Sequence, residues 1–168
     1  MARRLAPRVR IELQGLRELQ QALQKLPDEL QRPLVVTALS AAARPMKEAA
    51  EQNAPDAPPI GEGIVANIII SDKLTETQQE AERPPRKDEA KVYVGVDGEA
   101  PGFAPHAILV EFGTGPRFHE SGKYVGEMPA QPFMRPAFDA TAADVLRRFA
   151  VALKPLIKRA ARAVNRGR

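Results

Sequence analysis

The chain has 168 residues, of which 43% are hydrophobic, and it contains no cysteine. This length allows one domain with a hydrophobic core, and the lack of cysteine excludes disulfides and thiolate metal sites. No apolar run reaches the eighteen or so residues that a membrane span needs, and no signal-peptide pattern follows the basic start. We therefore expect no membrane contact, and we expect the product to stay in the cytoplasm where it is made.

The net charge of +4 conceals a segregation, because all acidic residues lie between Glu12 and Asp144. Both ends are purely basic: an N-terminal arm over residues 1–10 and a C-terminal region that ends in the tail 166–168. Such ends are typical of contacts with nucleic acid phosphates, of docking on the acidic middle of a neighbouring copy, or of a solvated helix face. The candidate DNA-contacting or inter-subunit residues are Arg147, Arg148, Lys154, Lys158, Arg159 and Arg162.

Leucines recur every three or four residues from Leu13 to Leu26, which predicts an amphipathic helix ending at Pro27. Asp28 is expected to cap a second, longer helix. Pro45 falls inside that helix and should kink it, and the helix should stop around Asn53.

The middle of the chain alternates β-rich segments with segments rich in breakers. Residues 64–70 and 91–96 predict two antiparallel strands, and 72–90 between them predicts an exposed loop. Residues 106–112 fit a strand or a short helix, of which we favour the helix. Residues 113–130, with four glycines and two prolines, predict a second exposed loop.

Residues 136–165 carry a continuous apolar stripe that predicts a long helix, which Pro155 should bend. The expected fold is therefore α+β: a long N-terminal helix, a small antiparallel sheet of two to four strands and a long basic C-terminal helix. We expect these elements to form a single domain over residues 11–165.

Few residues suggest chemistry. His106 and His119 are too far apart for a helix-spaced metal pair. The Ser121-Gly122-Lys123 sequence lacks the context of a phosphate loop, and Gly61-Glu62-Gly63 precedes a strand and not a helix. We predict no catalytic, metal or cofactor site, no cofactor, and no enzymatic activity.

Glu111 is a carboxylate embedded in an apolar run between Val110 and Phe112. It fits a general base or, as we favour, a buried acceptor that must be compensated. The compensating groups would be backbone N–H groups of the loop that begins at Gly113, or the side chain of Arg135.

Two motifs resemble the tail-completion, or head-tail joining, family of long-tailed double-stranded DNA phages. They are Ala107–Thr114, containing Glu111-Phe112-Gly113-Thr114, and Met128–Ala137. The resemblance extends over residues 28–160. The motif residues look structural: Gly113 for a sharp turn, Pro132 and Pro136 for an extended entry into the last helix, and Phe133 and Phe138 as its anchors in the core. Pro129, Gln131 and Arg135 complete the set.

The resemblance implies a structural virion protein at the phage neck or tail end, which completes the tail and helps to join it to the DNA-filled head. Its expected partners are further copies of itself in a ring, for which we expect six, other neck and tail proteins, and double-stranded DNA in the channel. The exposed loops 72–90 and 113–127 would engage the next ring. The alternative that the composition favours is a small basic protein that binds double-stranded DNA.

Overall fold

The computed structural model describes residues 16–55, 63–74, 86, 89–97 and 105–166. Over these residues the chain is α+β, as the sequence predicts. The elements in chain order are α1 (Leu16–Gln24), α2 (Asp28–Ala42), α3 (Arg44–Asn53), β1 (Ile68–Ser71), β2 (Tyr93–Val96), α4 (Ala107–Phe112), β3 (Thr114–Phe118), β4 (Tyr124–Met128) and α5 (Met134–Arg166). The basic arm 1–10, residues 167–168 and most of the predicted loop 72–90 lie outside the described residues.

The predicted long N-terminal helix is two helices that meet at Ala43. Pro45 lies in the first turn of α3, so the expected kink is a full break, because proline has no N–H for the preceding turn. The end at Asn53 is confirmed. The cap expected at Asp28 is wrong by one residue. Pro27 has the extended backbone of the boundary, and Asp28 is already helical, its carboxylate accepting a hydrogen bond from Gln31 Nε2 at 2.9 Å.

Strands β1 and β2 pair antiparallel, as predicted, with Ile68 opposite Val96. The predicted strand over 64–70 is correct only from Ile68, because Val65–Asn67 forms a 3₁₀ turn. The Asn67 side chain is buried and donates to the Gly63 carbonyl at 2.7 Å. This side-chain hydrogen bond gives the Gly63 carbonyl a partner within the turn. The extended backbone of a strand could not accommodate this local contact.

The exposed loop predicted over 113–130 is instead a β-hairpin, formed by β3 and β4. Its exposure is as expected, since most of its residues are accessible to solvent. The glycines and prolines that predicted a loop are accommodated because the pairing is irregular, with register shifts on either side of Arg117.

Helix α5 is the central element of the fold, and α1, α2 and α3 pack against it. Its first turns contribute to a core shared with α3, α4 and β1: Ala50, Ala54, Ile64, Ile68, Ala107, Val110, Phe133 and Ala137. Its second half packs on α1 and α2 around Leu26, Ala38, Leu153 and Ile157. In the described part of the chain, no helix is both long and apolar enough to cross a membrane.

Candidate functional site

Glu111 lies on the inner face of α4 and is only 9% exposed. Its Oε2 accepts the backbone N–H groups of Phe133 and Met134 at 2.7 and 2.9 Å, and its Oε1 accepts that of Arg135 at 3.0 Å. These are the amides at the start of α5, which have no partner within their own helix and carry its positive dipole end. The buried carboxylate is therefore compensated by capping another helix.

These contacts make Glu111 a buried acceptor of backbone N–H groups, but the expected partners were wrong: the amides belong to the start of α5 and not to the segment after Gly113. Arg135 contributes its backbone N–H. Both carboxylate oxygens accept hydrogen bonds from backbone amides. To act as a general base, Glu111 would have to give up such a hydrogen bond in order to accept a proton.

Gly113 ends α4 with φ 72°. A Cβ built on it would lie 2.7 Å from the Ala130 nitrogen and 2.8 Å from the Met128 oxygen, so the returning chain passes directly against its backbone. Only glycine fits this close approach and this conformation. The sharp turn expected at Gly113 is thus present.

One hydrogen bond ties the chain after the hairpin to α4, and a second closes the base of the hairpin itself. The Gln131 N–H donates to the Val110 carbonyl at 2.8 Å, and the Met128 N–H donates to Thr114 Oγ1 at 2.9 Å. Together with the Glu111 contacts, they join α4, the hairpin and α5 at one point, which we call the Glu111 junction. The motif residues are therefore brought together by hydrogen bonds from main-chain N–H groups, most of which are accepted by the side chains of Glu111 and Thr114.

Phe138 and Pro136 differ from the roles expected for them. Phe133 is 1% exposed and anchors the start of α5 in the core, whereas Phe138 is 54% exposed and does not. Pro136 lies within the first turn of α5 and not in an extended segment before the helix. In the first turn of a helix the missing N–H of proline costs little. Asn53 Nδ2 donates to the Phe133 carbonyl at 3.4 Å, which adds α3 to the junction.

The hairpin beyond its base packs mainly on itself among the described elements. Near its tip the rings of Phe118 and Tyr124 lie 5.6 Å apart across the strands. Both rings and the Val125 side chain are more than half exposed. The residues 119–123 form the connecting turn, closed by a hydrogen bond from the His119 N–H to the Lys123 carbonyl at 2.8 Å.

An apolar groove of about 650 Å³ lies beside the junction. Its walls come from β2, α4, the start of α5 and Met46 of α3. Three of its side chains are strongly exposed: Ile108 by 63%, Phe112 by 73% and Phe138 by 54%. Large apolar side chains grouped on a surface are typical of an interaction site.

The exposed side of α5 is strongly basic. Arg147, Arg148, Lys154, Lys158, Arg159, Arg162 and Arg166 are all exposed, and at 100° per residue they fall within an arc of about 140° opposite the buried stripe. We call this surface the basic face. It is about 28 Å long, and the sequence has no acidic residue beyond Asp144 to interrupt it.

Asp144 lies at the start of the basic face and pairs with two of its arginines. A hydrogen bond from Arg148, helped by the charges of Arg148 and Arg147, holds the pKa of the Asp144 carboxyl below its ordinary value of 3.8. These two arginines are therefore partly neutralised, and the charge of the basic face is concentrated from Lys154 onwards.

The sequence elements considered for chemistry are dispersed. His106 precedes α4, while His119 and Ser121-Gly122-Lys123 lie in the hairpin turn, where His119 Nδ1 is 3.1 Å from Ser121 Oγ. Within the described ranges, no group of three or more His, Asp or Glu side chains is placed to hold a metal ion. The sequence did not predict the groove or the aromatic hairpin.

The family follows from a comparison with known proteins. Residues 17–113 match the model of the HK97-gp10-like family, described as "Bacteriophage HK97-gp10, putative tail-component". The chain belongs to this family. No curated protein and no solved structure gives a significant match.

The match covers more than half of the chain and ends at Gly113, so it includes α4 and the Glu111-Phe112-Gly113 motif. It confirms the predicted resemblance to a phage tail-completion family. As a member, the chain is a structural component of the phage tail and belongs to the virion. It interacts with other tail proteins, and its family is one of structural tail components, which are not normally enzymatic.

Proposed function

We propose that this tail component is a ring-forming subunit of the phage neck or tail end, which completes the tail and helps to join it to the DNA-filled head. The observation that carries the proposal is that two different apolar surfaces, the hairpin and the apolar groove, have large exposed side chains that no other element of the described ranges covers. Two unlike surfaces fit a head-to-tail contact between copies, and such contacts generate rings when the rotation closes.

The Glu111 junction supports the same interpretation. It joins α4, the hairpin and α5 by hydrogen bonds that main-chain N–H groups donate to the Glu111 carboxylate and to the Val110 carbonyl, and interaction surfaces that assemble with symmetry need such a fixed scaffold. Six copies and contacts with other neck proteins remain part of the proposal, as does assembly in the host cytoplasm. Phage necks are built around the DNA channel, so we place double-stranded DNA among the proposed partners.

Electron microscopy and native mass spectrometry of the purified protein, alone and with isolated tails, test the ring. We expect closed rings of one stoichiometry and protein bound at one end of the tail. A protein that stays monomeric at every concentration and does not bind tails would contradict the proposal.

The basic face favours a second candidate, a small basic protein that binds double-stranded DNA. Five of its cations, from Lys154 to Arg166, extend over more than three helical turns without an acidic neighbour in sequence. Duplex DNA carries one charge per 1.7 Å or so, and each neutralised phosphate steepens the salt dependence of binding by about 0.9 in log–log slope. Phosphate contacts at these five residues therefore predict a slope of about −4.5.

Neutralising substitutions test this candidate better than removal of the tail, because a truncation after Leu153 would also remove Ile157, which is 4% exposed in the second core. Lys154→Gln, Lys158→Gln and Arg162→Gln together should flatten the slope by about 2.7. The same change at exposed arginines elsewhere, Arg17, Arg32 and Arg44, is the charge-matched control.

Fluorescence anisotropy of a short labelled duplex, titrated with protein at several salt concentrations, gives both slopes. Tight binding by the isolated monomer at physiological salt would favour the DNA-binding protein over the ring subunit. Equal slopes for the two triple variants would show that the basic face has no specific part in DNA binding.

A further inference from the structure

We propose that the aromatic end of the hairpin of one copy binds in the apolar groove of the next copy. This contact rests on the ring proposed above and identifies the surfaces that form it. The hairpin contributes Phe118, Tyr124 and Val125, and the groove contributes Ile108, Phe112 and Phe138.

Among the described elements, the hairpin has few packing contacts beyond its own two strands. A two-stranded hairpin alone in water is marginally stable, and β3 and β4 pack mainly on each other among the described elements. Its base is fixed by the hydrogen bonds at Thr114 and Gln131, while the side chains of Phe118, Tyr124 and Val125 are more than half exposed. Burial of the Phe118 and Tyr124 rings against another molecule would supply the apolar burial that the two rings do not obtain from each other.

The available apolar area fits a contact between two copies. The six side chains named above are between 53% and 73% exposed. With roughly 150–250 Å² for a fully buried aromatic side chain, they offer about 600 Å² of apolar surface. A small standard interface buries about 1,200 Å² in total, of which somewhat more than half is apolar. The two surfaces thus supply most of the apolar share, and the exposed strands supply polar contacts.

The two surfaces also have the relation that a ring requires. Phe112 is the last residue of α4 and lines the groove, and Gly113 next to it begins the hairpin. When the hairpin of one copy fills the groove of a second, the groove of the first and the hairpin of the second stay unoccupied. Each therefore accepts a further copy until the ring closes.

Cysteine cross-linking tests the contact directly, because the chain has no cysteine of its own. Tyr124→Cys in one preparation and Phe112→Cys in another should give a covalent dimer on mild oxidation of the mixture, since a disulfide requires the two Cα atoms within about 7 Å. Val151→Cys, at an equally exposed apolar position on α5, is the control partner for Tyr124→Cys. Cross-linking that is no stronger for Phe112→Cys than for Val151→Cys would overturn the proposal.

A mixing experiment tests the head-to-tail arrangement. The hairpin variant Phe118→Ser with Tyr124→Ser and the groove variant Ile108→Asp with Phe112→Asp should each weaken self-association at least tenfold. Their equimolar mixture should form 1:1 dimers that grow no further, because one intact hairpin then meets one intact groove. Val151→Asp should assemble like the parent, and unfolding curves establish that each variant is folded.

The outcomes separate this contact from the ring itself. Rings that persist in the hairpin variant or in the groove variant overturn the contact and leave the ring standing. A groove variant that forms rings but no longer binds tails also overturns the contact and leaves the ring standing, since a different tail protein would then occupy the groove. A parent protein that never self-associates overturns both.

Discussion

Replacement of Glu111 by glutamine tests how much the hydrogen bonds of the Glu111 junction stabilise the fold. The substitution keeps the size of the side chain but removes its charge and turns one acceptor oxygen into a donor. That donor would face backbone N–H groups which now receive three hydrogen bonds of 2.7, 2.9 and 3.0 Å. Because the site is 9% exposed, water can replace little of what is lost.

The magnitude follows from these contacts. A hydrogen bond to a charged group contributes about 1.5–3 kcal/mol, and a buried unsatisfied donor costs about 1–3 kcal/mol. A negative charge at a partly buried helix N-terminus adds up to about 2 kcal/mol. Glutamine retains one acceptor, so we expect a loss of about 2–3 kcal/mol in the free energy of unfolding, and about 3–5 kcal/mol for Glu111→Ala. At about 2–4 °C per kcal/mol, the glutamine variant should melt roughly 5–10 °C lower.

Urea unfolding followed by circular dichroism measures the change, with Glu127→Gln on the exposed side of β4 as the matched control. The control should stay within about 0.5 kcal/mol of the parent. If Glu111→Gln is as mild as the control, the three amides do not depend on the carboxylate, and the account of the junction is wrong.

Three further results are expected from the same unfolding assay. Gly113→Ala should cost at least about 2 kcal/mol, from the positive φ and the clash with the returning chain, whereas Gly115→Ala, whose Cβ would meet nothing within 4 Å, should be mild; equal effects would refute the close approach. Phe133→Ala should cost about 3–5 kcal/mol and Phe138→Ala much less, and the reverse order would contradict their burial. Asp144→Asn should slightly destabilise the protein at neutral pH, because the pKa of the Asp144 carboxyl is lower in the folded protein than its ordinary value of 3.8, so the charged carboxylate stabilises the fold above that value. The difference between the variant and the parent should vanish in acid, as the pH falls through the pKa of the folded protein. A difference that persists in acid would rule out the ion pairs as its cause.

The helices could be predicted from the sequence because each buries one face of a periodic pattern. The stripe that includes Leu153 and Ile157 is buried as its spacing indicates, and Pro45 marks the break because its effect is local. The position of Glu111 in an apolar run likewise indicated a compensated carboxylate. Its partners lie 22 to 24 residues further on, and no local pattern specifies a contact at that separation.

The hairpin was missed for a different reason. Gly115 and Pro116 interrupt β3, and because glycine and proline are depleted in strands, the sequence predicts a loop here. The turn 119–123 between Phe118 and Tyr124 was the available signal, since two aromatic residues flanking a polar, glycine-containing turn are typical of a hairpin. The groove could not be predicted because β2, α3, α4 and α5 each contribute only part of its wall.

The six-residue helix α4 connects the two surfaces of the proposed contact between copies. Its inner face holds Glu111 against α5, its outer face presents Ile108 and Phe112 to the groove, and its last residue leads into Gly113 and the hairpin. The angle between hairpin and groove is therefore set over a few residues that are fixed by hydrogen bonds from main-chain N–H groups. A ring closes only if every interface repeats the same rotation. On the proposed contact, the angle that the Glu111 junction holds would determine the number of copies, while the apolar side chains would determine how tightly they bind.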